Sequence, residues 1–235
     1  SIKIYMSKLA VGILGGMGPF ATSSFFEKLL KLSPAKKDWE HLRIIIDNNP
    51  HIPSRSRAYT LGEESPVESM LQSCIKLQNY PVDIIALPCN SATYYIDEFK
   101  DKLNIPLLNI VEITSNRIAE KFPGGNWISV FGGIVTYSSK LYKPFLEKRG
   151  FEYVDHDKSD QDIISGFIEE IKLHSDMNVS KVNSYIKSYK EKYNPDKIIL
   201  GCTEFGCLNG LTTDLVLIDS VTEYASHIVS LAYGV

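Results

Sequence analysis

Long apolar runs are absent from this sequence, and so is any concentration of positive charge. No stretch approaches the ~18 consecutive apolar residues of a membrane-spanning helix, and residues 1–8 lack the apolar centre of a secretory signal. The net charge is −3 with no basic stripe, whereas nucleic-acid binding requires a concentrated positive surface. We therefore expect a cytoplasmic protein with neither a membrane nor a nucleic acid as a partner.

Cysteine is scarce, since the 235 residues contain only Cys74, Cys89, Cys202 and Cys207. No two of them have the spacing of a zinc knuckle or of a redox Cys-x-x-Cys motif, so we expect no metal site. In the cytoplasm such thiols stay reduced. Cys74 lies in an amphipathic helical pattern, which is typical of a buried structural thiol. The roles of Cys89 and Cys202 depend on the segments around them.

Short apolar runs alternate with longer amphipathic stretches along the chain. This alternation of strands and helices predicts parallel sheets covered by helices on both faces, which is the α/β fold class. A Ser220-Val221-Thr222-Glu223 capping box predicts the start of the last helix, with Ser220 as its N-cap. The predicted strands are residues 9–14, 42–47, 84–87, 107–110, 127–131, 151–154, 197–200 and 216–218.

An internal repeat relates the two halves of the chain. Residues 11–17 and residues 128–134 each form a predicted buried strand that ends in a glycine pair. Residues 83–90 and residues 196–203 each form a predicted strand that ends at a cysteine. Both similarities occur in the same order and at nearly the same separation, which indicates two related α/β halves.

The repeat predicts two similar parallel-sheet lobes, flavodoxin-like and related by a pseudo-twofold axis. We assign residues 1–110 and 211–235 to the first lobe and residues 111–210 to the second. Ligands of open α/β sheets bind beyond the carboxyl ends of the strands. Cys89 and Cys202 each follow such an end. Lobes that face each other would therefore direct both thiols into one cleft, where we expect the active site.

Each of these two cysteines could also be a small buried residue at a strand end, but their paired context favours a functional pair. A thiol acts as a base only as the thiolate, and its ordinary pKa of about 8.5 is lowered by a cation or a helix N-terminus. Asn90-Ser91 and Thr203-Glu204 follow the cysteines at predicted strand-to-helix turns. Backbone N–H groups and hydroxyls at such turns can hold a carboxylate or cap a helix.

Four motifs, in order over nearly the whole chain, resemble the aspartate racemase branch of the aspartate/glutamate racemase superfamily. The two cysteine motifs are those of the superfamily. The glycine-rich opening indicates this branch, because glutamate racemases typically begin with an Asp-Ser motif instead. The motifs are Gly15-Gly16-Met17-Gly18-Pro19 with Ala21-Thr22, Asn48-Asn49-Pro50 with Arg55, Pro88-Cys89-Asn90-Ser91-Ala92, and Gly201-Cys202-Thr203-Glu204.

The resemblance implies a homodimer that racemises an acidic amino acid, aspartate or glutamate, without pyridoxal phosphate, metal or nucleotide. Cys89 would remove the Cα proton on one face while Cys202 returns a proton on the other, with the roles reversed in the opposite direction. The resemblance also implies that Arg55 and Lys172 contact the side-chain carboxylate, which an arginine can bind in a bidentate manner. The candidate substrate-binding residues are Met17, Asn48, Arg55, Asn90, Ser91, Thr136, Ser139, Lys172, Thr203 and Glu204.

The sequence departs from the family pattern in places that bear on substrate choice. Thr93 stands where the first cysteine motif often ends in histidine, and Val135 replaces a glycine before the threonine of the second lobe. Arg57 lies two residues beyond Arg55 and could take its role. These departures keep the two-thiol scheme and leave the substrate open, including cis–trans isomerisation of a dicarboxylate.

Two other functional classes remain as alternatives. A two-lobed α/β cleft can simply bind an acidic ligand, although binding does not need a matched pair of cysteines. A single-cysteine hydrolase or phosphatase is the other alternative, but no Cys-x5-Arg loop follows Cys89 or Cys202.

Overall fold

The computed structural model describes residues 7, 9–124, 126–173 and 178–235 and shows two four-stranded sheets. The strand order is β2-β1-β3-β4 in the first sheet and β6-β5-β7-β8 in the second, and all paired strands are parallel. The two sheets therefore have the same topology. The strands are β1 (Ala10–Gly15), β2 (Arg43–Asn48), β3 (Ile84–Ala86), β4 (Leu107–Leu108), β5 (Trp127–Gly132), β6 (Glu152–Tyr153), β7 (Lys197–Gly201) and β8 (Val216–Asp219).

An α-helix lies between all successive strands except β7 and β8, whose connection contains the 3-10 helix Phe205–Cys207. Each predicted strand is present with ends that differ from the prediction by no more than two residues, which confirms the α/β fold class. The α-helices of the described residues are α1 (Pro19–Leu32), α2 (Arg55–Leu61), α3 (Val67–Gln78), α4 (Asn90–Thr93), α5 (Ile110–Lys121), α6 (Ile134–Ser138), α7 (Lys143–Glu147), α8 (Lys158–Leu173), α9 (Val179–Tyr193) and α10 (Ser220–Tyr233).

The two halves of the sequence repeat occupy equivalent places in the two sheets. β1 and β5, which end at Gly15 and Gly132, each have the cysteine-bearing strand of their own sheet as a neighbour. Those neighbours are β3, which ends three residues before Cys89, and β7, which ends one residue before Cys202. The two-lobe architecture expected from the repeat is confirmed.

The last 25 residues of the chain divide between the two lobes. Strand β8 pairs with β7 and belongs to the second sheet, whereas α10 packs against α1 of the first lobe and against α5. The assignment of residues 211–235 to the first lobe is therefore wrong for β8. The sequence of the short apolar segment 216–218 does not indicate which of the two sheets it joins. Its hydrogen-bonded pairing with β7 places it in the second sheet.

The last helix begins one residue earlier than the capping box predicts. Its N-cap is Asp219, whose carboxylate accepts a hydrogen bond from the Val221 N–H at 3.2 Å. Glu223 does not reach back to a cap, because its carboxylate pairs with Arg117 and Lys121 of α5. Ser220 is thus the first residue of α10, and its hydroxyl is free to bond elsewhere.

One apolar core extends beneath both sheets. It contains Val11 and Ile13 of β1, Ile128 and Val130 of β5, and a continuous face of α10, all buried. Because α10 contributes to this shared core, it joins the two lobes. Among the described residues, no helix has both the length and the apolar character that a membrane span requires.

Candidate active site

A cavity of about 1180 Å³ lies between the two lobes at the carboxyl ends of their strands. Both Cys89 and Cys202 line it, as do the glycine-pair turns that follow β1 and β5. The sequence prediction that both thiols border one cleft therefore agrees with the structure. Among the described residues, no cluster of His, Cys, Asp or Glu side chains is arranged to hold a metal ion.

In the turn after β1, the backbone at Gly16 lies very close to the backbone at Asn49. Gly16 has φ +94°, and a Cβ atom there would lie 2.3 Å from the backbone of Asn49. Only glycine fits such a position without strain. The Gly16 N–H donates to Thr22 Oγ1 at 2.9 Å, and that hydroxyl donates to the Gly18 carbonyl at 3.0 Å. The turn holds buried Met17 at the cavity wall.

Cys89 is buried and directly precedes α4, for which it is the N-cap residue. The next residue, Asn90, has a buried amide whose Nδ2 donates to Ser220 Oγ at 3.1 Å and whose Oδ1 accepts from the Tyr142 hydroxyl at 2.5 Å. Thr93 donates to the Cys89 carbonyl at 3.4 Å. The residue that replaces the family's histidine is thus bonded to the backbone of Cys89.

Cys202 has a carboxylate partner. Its Sγ donates to Glu204 Oε2 at 2.7 Å, and the Thr203 hydroxyl donates to the same oxygen at 3.2 Å. Burial and the negative charge of Glu204 raise the pKa of Cys202 well above its ordinary value, and the positive charge of Lys172 opposes this only in part. Cys202 therefore carries its proton at neutral pH.

Lys172 lies on the last turn of α8 and lines the same cavity. Burial lowers the pKa of Lys172, but the hydrogen bond to Glu169 at 3.0 Å and the charge of Glu204 outweigh it, so the net pKa is raised. Lys172 is therefore a stable cation on the Cys202 side of the cavity.

The sequence leaves two arginines, Arg55 and Arg57, as candidates for the contact with the side-chain carboxylate of the substrate. Arg55 lines the cavity, its guanidinium donates to the carbonyls of Ile52 and Pro53, and its Nε is buried with no partner among the described residues. Arg57 is exposed and its guanidinium is engaged by Glu63. The geometry places Arg55, and not Arg57, at the cavity.

The family follows from comparison with known proteins. Residues 14–228 match the family model described as Asp/Glu/Hydantoin racemase. That range extends from β1 into α10 and contains both cysteine motifs. The chain belongs to this racemase family. The resemblance drawn from the four sequence motifs is thereby confirmed.

Individual relatives agree with this family. The broad specificity amino-acid racemase RacX of Bacillus subtilis (strain 168) is 30% identical over 232 residues, which is 95% of this chain and 99% of the relative. The Picrophilus torridus aspartate racemase superposes with a TM-score of 0.81 at 28% identity, covering 96% of this chain and 94% of that one. The glutamate racemase of Francisella tularensis in complex with D-glutamate, at 17% identity and a TM-score of 0.61, covers 95% and 80% and shares the fold. An amino-acid racemase with two α/β lobes is what the sequence predicted.

Most of the predicted substrate contacts of this racemase line the cavity, but Asn48, Thr136 and Ser139 do not. Asn48 ends β2 beside Gly15, and the Ser139 hydroxyl donates to the Val135 carbonyl at 2.7 Å. Thr136 is buried, and its hydroxyl has no hydrogen-bond partner among the described residues. The predicted residues that do line the cavity are Met17, Arg55, Cys89, Asn90, Ser91, Lys172, Cys202, Thr203 and Glu204.

Several cavity residues of the racemase were not singled out from sequence. Ser24, Lys28 and Lys31 on α1 face the cavity with helical spacing, and Asp162 and Ser165 line it from α8. The spacing on α1 is a usable signal, because residues three and four apart share a helix face and this helix directly follows the first glycine pair. Cys207 also lines the cavity, next to the Cys202 motif.

Proposed function

We propose that this racemase interconverts the L and D forms of an acidic amino acid, aspartate or glutamate, by two-thiol proton transfer without a cofactor. The observation that carries the proposal is the placement of Cys89 and Cys202. They follow equivalent strands of two matching sheets and line one cavity. Inverting a Cα–H centre requires a base on one face and an acid on the other, and two opposed thiols can supply both.

The surroundings of Cys202 support one role for this thiol at the start of the reaction. Cys202 holds its proton because burial and Glu204 raise its pKa. In that state Cys202 is the acid, and the two-thiol scheme gives Cys89 the role of the base that removes the Cα proton from the opposite face. The carbanion then takes the proton of Cys202, which becomes the thiolate. That thiolate is the form of Cys202 that removes the Cα proton in the reverse direction, in which Cys89 returns a proton to the opposite face.

Cationic and polar groups on both walls support an acidic substrate. Arg55 and Lys172 line the cavity from the two lobes and offer positive charge to a side-chain carboxylate. Ser91 offers its hydroxyl and Thr203 its backbone N–H to the α-carboxylate, and both lie within two residues of a cysteine. A carboxylate between these groups would hold Cα between the thiols.

Incubation with L-aspartate or L-glutamate in heavy water tests the function. We expect the D isomer to accumulate with one deuterium at Cα, in the presence of a metal chelator and without pyridoxal phosphate. Maleate in a parallel reaction tests the dicarboxylate isomerase alternative. Binding of aspartate without exchange or inversion would instead identify a ligand-binding protein and overturn the proposal.

We also propose that the racemase is a cytoplasmic homodimer, on the strength of its family resemblance. Light scattering after size exclusion should give twice the mass of one chain. A monomer that turns over aspartate would contradict the dimer and leave the chemistry intact.

A further inference from the structure

One hydroxyl connects the segments that carry the two cysteines. Ser220 Oγ accepts a hydrogen bond from Asn90 Nδ2 at 3.1 Å and donates to the Leu200 carbonyl at 2.9 Å. Asn90 directly follows Cys89, and Leu200 lies two residues before Cys202. All three groups are buried, so water does not compete for these bonds. Ser220 thus links the two lobes within two residues of each thiol.

A second hydroxyl on the same helix face holds the other side of Cys89. Tyr224 lies four residues after Ser220 on α10, and residues with this spacing share a helix face. Its hydroxyl accepts from the Leu87 N–H at 3.0 Å and donates to the Leu108 carbonyl at 2.8 Å. Leu87 lies two residues before Cys89. One turn of α10 therefore bonds to the ends of both cysteine-bearing strands.

The orientation of the Asn90 amide follows from its two hydroxyl partners, Ser220 and Tyr142. Ser220 Oγ donates its hydrogen to the Leu200 carbonyl and therefore accepts from Nδ2, which leaves Oδ1 to accept from the Tyr142 hydroxyl of the second lobe. Tyr142 is fully buried, and burial raises the pKa of its hydroxyl, which remains a donor. The Asn90 side chain is thereby committed to a link between the lobes.

We propose that Ser220 and Tyr224 are positioning residues that set the separation of the Cys89 and Cys202 thiols. This inference rests on the proposed two-thiol function. Two thiols on separate lobes must reach opposite faces of one carbon atom, and small displacements of reacting groups are costly. The hydrogen bonds of Ser220 and Tyr224 connect one turn of α10 to the ends of β3 and β7, so a single helix holds the two thiols at a fixed separation.

Ser220→Ala and Tyr224→Phe remove one hydroxyl each and leave the apolar packing of α10 in place. Tyr233→Phe is the matched control, because this buried tyrosine of the same helix bonds to Ser33 and to the Glu40 carbonyl, which do not line the cavity. Thermal melts of all three variants measure the loss of stability alone. Steady-state racemisation in heavy water, resolved by enantiomer and by deuterium content, measures positioning.

We expect kcat to fall by about 10- to 100-fold in Ser220→Ala and Tyr224→Phe, with KM little changed. The fraction of Cα exchange that occurs without inversion should rise, because, when the second thiol is displaced, the first thiol has time to exchange its proton with solvent and to return a deuteron to the same face. Tyr233→Phe should keep the parental kcat and exchange ratio, even if its melting temperature falls as much. Variants of Ser220 and Tyr224 that match Tyr233→Phe in both kinetic readouts would refute the positioning role.

A chemical measurement keeps the inference separate from the catalytic proposal. Dibromoacetone can bridge two nearby thiols, and peptide mapping identifies the bridged cysteines. We expect a Cys89–Cys202 bridge in the parent and in Tyr233→Phe, and single alkylation to dominate in Ser220→Ala and Tyr224→Phe. Undiminished bridging in those two variants would contradict the positioning role whatever the parent catalyses. Bridging without any racemisation would contradict only the proposed function.

Discussion

The proton on Cys202 is held by burial and by one neighbouring carboxylate. Glu204 accepts the Sγ–H at 2.7 Å, and its charge adds to burial in raising the pKa of Cys202. Cys74, in contrast, has its pKa raised to about 12 by burial in the apolar core of the first lobe. The pKa of Cys202 therefore depends on charged neighbours, Glu204 and Lys172, as well as on burial, and a substitution can remove such a charge.

Glu204→Gln should lower the pKa of Cys202 towards its ordinary value, because the amide carries no negative charge. Alkylation of the Cys202 peptide by iodoacetamide should therefore become faster at each neutral or mildly alkaline pH. Glu27→Gln is the control, since Glu27 also lines the cavity but is exposed on α1. An unchanged alkylation profile in Glu204→Gln would show that burial alone sets the pKa.

Arg55→Ala should raise KM for aspartate by about 10- to 150-fold, the equivalent of one charge-assisted hydrogen bond. Arg57→Ala is the matched control, since it removes the same side chain two residues away, where Glu63 engages it outside the cavity. Parental KM in Arg55→Ala, or a larger effect in Arg57→Ala, would mean that Arg55 does not bind the substrate carboxylate.

The sequence repeat predicted the elements of this molecule better than it predicted the contacts between them. Residues such as Val11 and Ile13 form apolar runs that identify β1, because the strands of parallel sheets are buried on both faces. Ser220 carries no such signal. Its bonds to Asn90 and Leu200 join residues that are 130 and 20 positions away. Only the tertiary structure shows that this serine links two lobes instead of capping a helix.

The turn that follows β1 depends on glycine at one position. A Cβ at Gly16 would lie 2.3 Å from the Asn49 backbone, and φ is +94°. Gly16→Ala should reduce the free energy of unfolding by at least ~1–3 kcal/mol, the cost of a strained backbone conformation. Gly18→Ala is the control, since nothing lies within 4 Å of its added Cβ. Equal urea midpoints for both variants would show that the turn can relax.

At the scale of the whole molecule, buried polar groups tie stability to pH. His156 is buried in the second lobe, where its ring contacts the Tyr189 hydroxyl and Gln161 Oε1, each at 3.0 Å. Burial lowers its pKa, against the smaller raising effects of Gln161, Asp155 and Asp160. The folded protein therefore keeps His156 neutral at a pH where the unfolded chain already binds a proton.

Stability should fall as the pH drops below about 6.5, the ordinary histidine pKa, because the unfolded state then binds more protons than the folded state. His156→Gln should weaken this dependence in urea unfolding measured at about pH 7.5 and pH 5. His227, whose pKa is also lowered by burial, makes its own contribution to the pH dependence of stability. His227→Gln should therefore leave the contribution of His156 unchanged. If His156→Gln loses as much stability between these two pH values as the parent does, then other groups cause the pH dependence.

The central claim is that two thiols on different lobes act on one carbon atom. The most direct measurement is chiral turnover of aspartate in heavy water by Cys89→Ala and Cys202→Ala, beside their thermal melts and beside Cys74→Ala. Both active-site variants should stay folded and lose racemisation by about 10²- to 10⁴-fold, while each can still exchange the Cα hydrogen of one enantiomer. Cys74→Ala should racemise like the parent. Near-parental racemisation by a folded Cys89→Ala or Cys202→Ala would contradict the two-thiol account.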